Sequence, residues 1–451
     1  MPEDFQVEEV LSLSPKERGP YALFRVKKRN ITTLEVHMSL AKKLGLPPSA
    51  LHFPALKDKV AVATQYCTAK MAKGPTLSQI DGPGFSATLV GFLSRPLTPK
   101  DLRENRFIVT LRDMDEEEAK HVHTCFQMLS YDGFPNYFDL QRFGSWSPKL
   151  GFPGKHLLLG DWEKALFAYL AEPLAGDPPT VLRFKKLARE HWGNWPLLKE
   201  KAPRGNLRSV LTFLCDHPQD FKRAVNLITP RILSLWLSAY QSFLWNRASS
   251  LFLQRLAGEH GPGVYLRFPF GEFFVPAYPI PEDLHRRLAA LSLPLPSHKI
   301  FSGPLTPYPS PQGGEGTTEG SSHSRGWDHH EGPFLSPSRE EGQNSLPSPQ
   351  RGEGQGEGDL FREILLVVLK EEGLTPKNLR ARGLTRVFLA RAERPLWVVP
   401  LEPKMGDPAP DELFPGRLKL TVSFALPPGS YATLFLRLLS LPDLPELGNT
   451  D

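Results

Sequence analysis

The stretch Leu418–Phe424 (Leu-Lys-Leu-Thr-Val-Ser-Phe) alternates apolar and polar residues without a break. A period of two marks a strand with one buried face, and one strand is not stable without others beside it. The chain from about 148 to 300 is patterned for helices instead, while the first 130 residues are patterned for strands. This suggests that the C-terminus returns to complete the first domain, which the helical region interrupts.

The N-terminal part supports this. Phe5–Val10 alternates, and Tyr21–Lys27 reads as a second strand. Thr33–Leu44 carries apolar residues at helical spacing, capped from Asn30–Thr33 and stopped by Gly45. Lys57–Cys67, Gly91–Leu93 and Arg106–Leu111 read as further strands, and Asp115–Leu129 as a helix with acids in its first turn. The expectation is α+β, strands with helices packed on them. Helices are then expected at Trp162–Leu170, Thr180–His191, Asn206–Leu214, Pro230–Leu256 and Leu360–Glu371. Short strands are expected at Val387–Ala390 and Leu396–Val399, and a final helix, N-capped by Ser430, runs through Leu439.

Residues 302–358 are Pro, Gly, Ser and Glu with scarcely an aliphatic side chain, too little apolar surface to offset chain entropy. Pro309-Ser-Pro-Gln-Gly-Gly-Glu-Gly316 recurs almost unchanged at 347–354, as inserted low-complexity sequence does. His329–His330 falls within it and is not expected to bind a metal. The segment is acidic, with a net charge of −5, so the rest of the chain carries +10. A basic folded part points to a polyanionic partner.

Cys67, Cys125 and Cys215 are too few and too scattered for a disulfide framework or a zinc site. No secretory signal and no apolar run of membrane-spanning length is seen, so a soluble cytoplasmic protein is expected. Phosphate-binding glycine loops, nucleophile elbows and zincin motifs are missing, and the default is chemistry without a cofactor or metal.

Four polar clusters remain: Lys27-Lys28-Arg29-Asn30; Lys57-Asp58-Lys59 with Thr64 and Gln65; Asn136-Tyr137-Phe138-Asp139-Leu140-Gln141-Arg142-Phe143-Gly144; and Ser238–Asn246. Lys57-Asp58-Lys59 alone is as ordinary as any solvated turn. The third cluster mixes amides, aromatics and Arg. It suits either a base-stacking site with Arg on phosphate or a buried aromatic turn whose amides bond local backbone. The aromatic residues of the fourth are expected in a helix core.

Taken together, these clusters resemble the tRNA pseudouridine synthase D (TruD) family. Lys57-Asp58-Lys59 with Ala61-Val62 and Thr64-Gln65 is similar to its catalytic signature, and Asn136-Tyr137-Phe138 with Gln141–Gly144 to its second motif. Phe5–Val10, Lys28 with Thr33, Asn105 with Phe107, Trp236–Ala239 with Ser242, and Leu426–Thr433 with Arg437 also fit, in order along the chain. The chain departs from the pattern at Ala55, Glu104 and Asp139, where the family usually has Gly, and at Leu438, where it usually has Glu. Asp139 and Glu104 are expected to narrow or repel an RNA path.

The resemblance implies an α+β pseudouridine synthase core with a mixed, largely antiparallel sheet, interrupted by a mainly helical TRUD-type domain. The expected limits are 1–150 and 396–451 for the core and 151–395 for the insertion. It implies isomerisation of a uridine in tRNA, at position 13, to pseudouridine by a monomer without a cofactor; another RNA target, or a non-catalytic tRNA folding factor, is the alternative. Asp58 would be the catalytic carboxylate, Phe138 would stack on the base and Asn136 would fix local geometry. Because Phe cannot accept a proton, Tyr137 or a water is a candidate for that step. Lys27, Lys28, Arg29, Lys57, Gln65 and Arg142 are the RNA-binding candidates. Strand neighbours point to opposite faces, so Lys57 and Lys59 are expected to turn away from Asp58, leaving Lys28 to keep it ionised.

Overall fold

A computed structural model describes residues 1–71, 78–174, 176–258, 263–301, 354–441 and 444. The near-repeat, apart from its last residue Gly354, and His329–His330 lie outside them. The described residues form two compact units, the first from Met1–Gly133 and Val399–Ala432, the second from the chain between and after these.

The first unit is built on a ten-stranded sheet. Its N-terminal part supplies β1 (Phe5–Leu11), β2 (Tyr21–Arg29), β3 (Leu51–His52), β4 (Val62–Lys70), β5 (Gln79–Gly82), β6 (Phe85–Leu93) and β7 (Leu102–Met114). The strand Leu418–Leu426 lies along β7, with Leu420, Val422 and Phe424 opposite Leu111, Val109 and Phe107. The late alternating strand therefore rejoins the first sheet. The order is Leu401–Met405, Leu418–Leu426, β7, β1, β4, β2, β6, β5, with β3 on β4 and Ala409–Pro410 on Leu418–Leu426. β1 and β4 run parallel and the other pairs antiparallel.

Two helices lie on this sheet, α1 (Thr33–Leu44) and α2 (Glu116–Asp132). Thr32 and Glu35 close a capping box at the start of α1, and Gly45 ends it at φ 65°. Val36, Leu40 and Ala41 of α1 are buried with Phe24, Val26 and Phe85 of the strands. Asp115 and Glu118 cap α2 in the same way.

The second unit is mainly helical: α3 (Pro153–Leu159), α4 (Trp162–Leu170), α5 (Pro179–Glu190), α6 (Trp195–Lys201), α7 (Asn206–Asp216), α8 (Phe221–Asn226), α9 (Pro230–Ala257), α10 (Glu282–Ala290), α11 (Gly354–Glu371) and α12 (Ala432–Leu439). The long α9 is apolar almost all round, as a central helix must be, burying Trp236, Tyr240, Phe243 and Trp245 among others. Gly154 of α3 approaches it so closely that a Cβ would sit 2.3 Å from the Trp236 carbonyl. A hairpin, Gly263–Phe268 with Gly271–Pro276, completes the unit.

Several local expectations change. The first unit ends at Gly133 because Phe134–Pro135 pairs with Trp397–Val398 in the second. Val387–Ala390 is not a strand; pairing begins at Glu393–Pro395, against Ser292–Pro294. The last helix starts at Ala432, too late for Ser430 to cap it. α11 opens at Gly354, inside the segment read as low complexity. Among the described residues no helix is long and apolar enough to cross a membrane.

Candidate active site

In the first unit, β2 ends in Lys27-Lys28-Arg29. Alternation turns Lys28 to the α1 side with Phe24 and Val26, where it is fully buried, and leaves Lys27 and Arg29 exposed. Arg29 pairs with Glu3. Asn30, at φ 52°, breaks the strand in a conformation Asn tolerates, and the turn brings the Ile31 carbonyl within 2.9 Å of Lys28 Nζ. The same ammonium donates to the main-chain carbonyl of Asp58.

Asp58 itself is exposed, in a loop. The strand expected from Lys57 begins only at Val62. Side chains do here what a ladder would have done: the Lys57 N–H donates to Thr33 Oγ1 at 3.0 Å, and the Asp58 carbonyl takes Lys28. The strand argument for where Lys57 points therefore lapses. Lys57 does turn inward, its Nζ 3.0 Å from Glu9 Oε1 and 2.5 Å from Asn105 Oδ1. Glu9, 1% exposed, accepts the Tyr66 N–H on its other oxygen at 2.8 Å.

Electrostatics follow from this burial. Desolvation raises the Glu9 pKa, with Lys57 pulling it back. Desolvation lowers the Lys28 pKa; the Asp58 charge opposes that shift and Lys57 adds to it. Gln65, on β4, is fully buried and accepts from the Thr33 hydroxyl at 3.3 Å. Three residues expected to meet RNA, Lys28, Lys57 and Gln65, are thus interior groups that hold the Asp58 loop. Lys27, Arg29 and Asp58 remain at the surface.

In the second unit, Asn136, Tyr137, Phe138 and Asp139 are all buried. Asn136 is fixed by its N–H on the Leu396 carbonyl (2.8 Å) and its amide on the Pro395 carbonyl (3.0 Å). Arg394 donates from Nε to the Asn136 carbonyl (2.7 Å) and from a terminal nitrogen to Asn136 Oδ1 (2.8 Å). Its guanidinium carbon is 4.0 Å from the Phe138 ring centroid, with the Trp245 ring edge-on at 5.7 Å. Asn246 clamps the Phe138 backbone, accepting its N–H at 2.9 Å and donating to its carbonyl at 2.8 Å. Arg142 lies 5.5 Å from the same ring and donates to Ser242 Oγ at 3.0 Å.

Tyr137 is directed away from proton transfer: its hydroxyl donates to the Phe274 carbonyl at 2.6 Å, and burial raises its pKa strongly. The two carboxylates at the unusual positions are neutralised. Asp139 meets Arg437 at 2.6 Å, and Glu104 meets Arg106 at 3.0 Å and Arg103 at 3.2 Å. Neither presents the bare negative charge expected of it.

Sequence reasoning missed Arg394 altogether and gave Asn246 no duty. Nothing near Arg394 in sequence marks it, since its partner Asn136 is 258 residues away. Among the described residues, no group of three His, Cys, Asp or Glu side chains could hold a metal ion.

The family model for tRNA pseudouridine synthase D (TruD) matches residues 1–259, more than half of the chain. The chain belongs to the TruD family. Relatives extend the TruD likeness over nearly the whole length. A probable tRNA pseudouridine synthase D 2 of Methanocaldococcus jannaschii is 27% identical over 440 residues, 97% of this chain and 89% of that one. A tRNA pseudouridine synthase D of Aquifex aeolicus is 25% identical over 448 residues, 98% and 97% of the two chains. The crystal structure of a putative TruD protein of Methanosarcina mazei superposes with a TM-score of 0.62, covering 97% of this chain and 92% of that one at 21% identity. That likeness establishes the fold, a mixed sheet interrupted by a helical insertion.

Proposed function

We propose that this protein isomerises a uridine of tRNA, at position 13, to pseudouridine, with the Asp58 carboxylate as its catalytic group. The reaction breaks the C1′–N1 bond, turns the base and joins C5 to C1′; the C5 proton leaves and N1 gains one. Atoms and electrons balance within the substrate, so neither a redox partner nor a cofactor is needed.

The observation that carries this reading is how Asp58 is presented. An exposed carboxylate sits on a loop whose main chain is held from inside by Lys28 and Thr33, with Lys57 tied to Glu9 and Asn105. A carboxylate that must meet one sugar or base atom gains from a loop fixed in this way, because small misplacements cost large factors in rate. Lys28 is the positive charge next to it, its ammonium donating to the Asp58 main-chain carbonyl. In the second unit, Phe138 takes the stacking role toward the base and Asn136 the fixing of local backbone. Arg142, Lys27 and Arg29 are assigned to phosphate. The protein is taken to act as a monomer in the cytoplasm.

The test is Asp58→Asn on a tRNA transcript, scored for pseudouridine by chemical labelling. The substitution keeps shape and removes charge, and conversion should fall below detection. Turnover at the wild-type rate would refute the assignment of Asp58. If the wild type binds tRNA stoichiometrically yet leaves every uridine unchanged, the protein is a binding factor and not an enzyme.

A further inference from the structure

The Asp58 loop carries apolar side chains that the chemistry does not require. Leu56 and Val60, two residues to either side of Asp58, are 50% and 63% exposed; Leu34 and Met38 of α1 are 55% and 53% exposed. Single exposed aliphatic residues are ordinary, but a contiguous group marks a binding surface.

Contiguity follows from the contacts beneath. The Lys57 N–H on Thr33 Oγ1 sets Leu56 and Lys57 beside the first turn of α1. His37 ties α1 to the segment between it and the Asp58 loop through its ring on Phe53 (5.6 Å between centroids) and its Nε2 on the Pro48 carbonyl (2.7 Å). Leu34 and Met38, four residues apart, share one face of α1, and His37 is three residues from Leu34. The Glu35 carboxyl is lowered first by the Thr32 hydroxyl and N–H, and the exposed Lys59 lies close enough to add a smaller charge effect.

We propose that Leu34, Met38, Leu56 and Val60 form an apolar rim that receives the nucleobases flanking the target uridine once it leaves the stack. This rests on the reading of Asp58 given above. Extruding one nucleotide strips its neighbours of a stacking partner at a cost of a few kcal/mol, and aliphatic wedges are a common way to cover the exposed base faces. A rim that brackets the reacting carboxylate on both sides in sequence is placed for those neighbours. Lys59 supplies the cation their phosphates call for. A folded protein partner would be expected to need a larger apolar area than four half-exposed side chains.

The test uses the full chain with Leu56→Ser/Val60→Ser and, separately, Leu34→Ser/Met38→Ser. These positions are exposed, so melting temperatures should stay at the wild-type value. The kcat/KM on folded tRNA should fall about tenfold or more, within the few kcal/mol that extruding a nucleotide costs. On a short single-stranded oligonucleotide, whose target is already unstacked, it should fall less than about threefold, because little stacking is broken there. In an Asp58→Asn background, 2-aminopurine beside the target should brighten when bound by the intact rim and not by the Ser variants. Equal losses on both substrates, no loss on either, or an unchanged 2-aminopurine signal would overturn the rim. So would a wild-type dimer that the Ser variants turn into a monomer with tRNA kinetics unaltered. Full turnover by Asp58→Asn would instead refute the catalytic assignment, and the binding signal would still decide the rim.

Discussion

Lys28 Nζ donates to the main-chain carbonyl of Asp58, thirty residues further along the chain. The bond runs from the end of the interior strand β2 to an exposed loop, and a second bond to the Ile31 carbonyl orients the ammonium. Lys28→Met keeps the apolar stem and removes the donor. Two acceptors then lose their partner, at roughly 1–3 kcal/mol for each that water does not reach. A displaced Asp58 should lower kcat by about 100-fold, the penalty expected of a small misplacement of a reacting group, with KM little changed. Steady-state kinetics on tRNA check the split. A rise in KM alone would show that Lys28 serves binding.

Behind the loop, Glu9 and Lys57 form a buried pair. Glu9→Gln leaves Lys57 as an interior cation with only Asn105 and an amide beside it, and breaking such a pair costs about 3–5 kcal/mol. Glu9→Gln combined with Lys57→Met removes both charges and should recover much of that loss. Denaturant melts of the two single variants and the double variant give the coupling. Additive losses would show that the two side chains do not act as a pair.

How much of this was legible in the sequence depends on how far apart the partners lie. Leu418–Phe424 announced its buried face through its own alternation, and the Thr32–Glu35 capping box is written in four consecutive residues. The Asp58 loop was misread because its charged triplet adjoins a β-branched run, while the atoms that hold it out of the sheet belong to Thr33 and Lys28. The inward turn of Lys57 depends on Glu9, and the grip on Phe138 on Asn246 and Arg394, more than 100 and more than 250 residues away. Period and spacing report one element at a time. They carry no record of which distant side chain completes it.

The clamp on Phe138 gives the second unit its own test. Asn246→Ala removes both bonds that hold the backbone of the buried Phe138, each worth on the order of 1 kcal/mol. Arg394→Lys keeps the charge but loses the planar fork that reaches Asn136 and lies over the Phe138 ring. Asn246→Ala should therefore lower the melting temperature strongly, and Arg394→Lys should lower kcat more than stability. Calorimetry and single-turnover rates separate the two effects. An Arg394→Lys protein of wild-type activity would show the fork to be dispensable.

Arg112 joins the two sequence-distant parts of the first unit, reaching Asp4 at 2.8 Å, Asp411 at 2.9 Å and Glu412 at 3.1 Å. Hydrogen bonding to Arg112 lowers the Asp4 pKa. For Asp411, burial pushes upward, but the Leu413 and Asp113 N–H groups with Arg112 bring the net shift down. Glu412 is lowered from 4.5 to about 2, first by Lys419 and then by its backbone and Arg112. A carboxyl with a depressed folded pKa contributes stability that is complete above its unfolded value and disappears as pH falls through its folded one. The wild type should therefore lose melting temperature between about pH 4.5 and pH 2. Arg112→Gln removes one guanidinium from all three acids, so its melting temperature should lie furthest below wild type above pH 4.5 and converge with it toward pH 2. Melting curves of both proteins across that range check the sign. A gap that stays constant with pH would mean that Arg112 contributes packing and not charge.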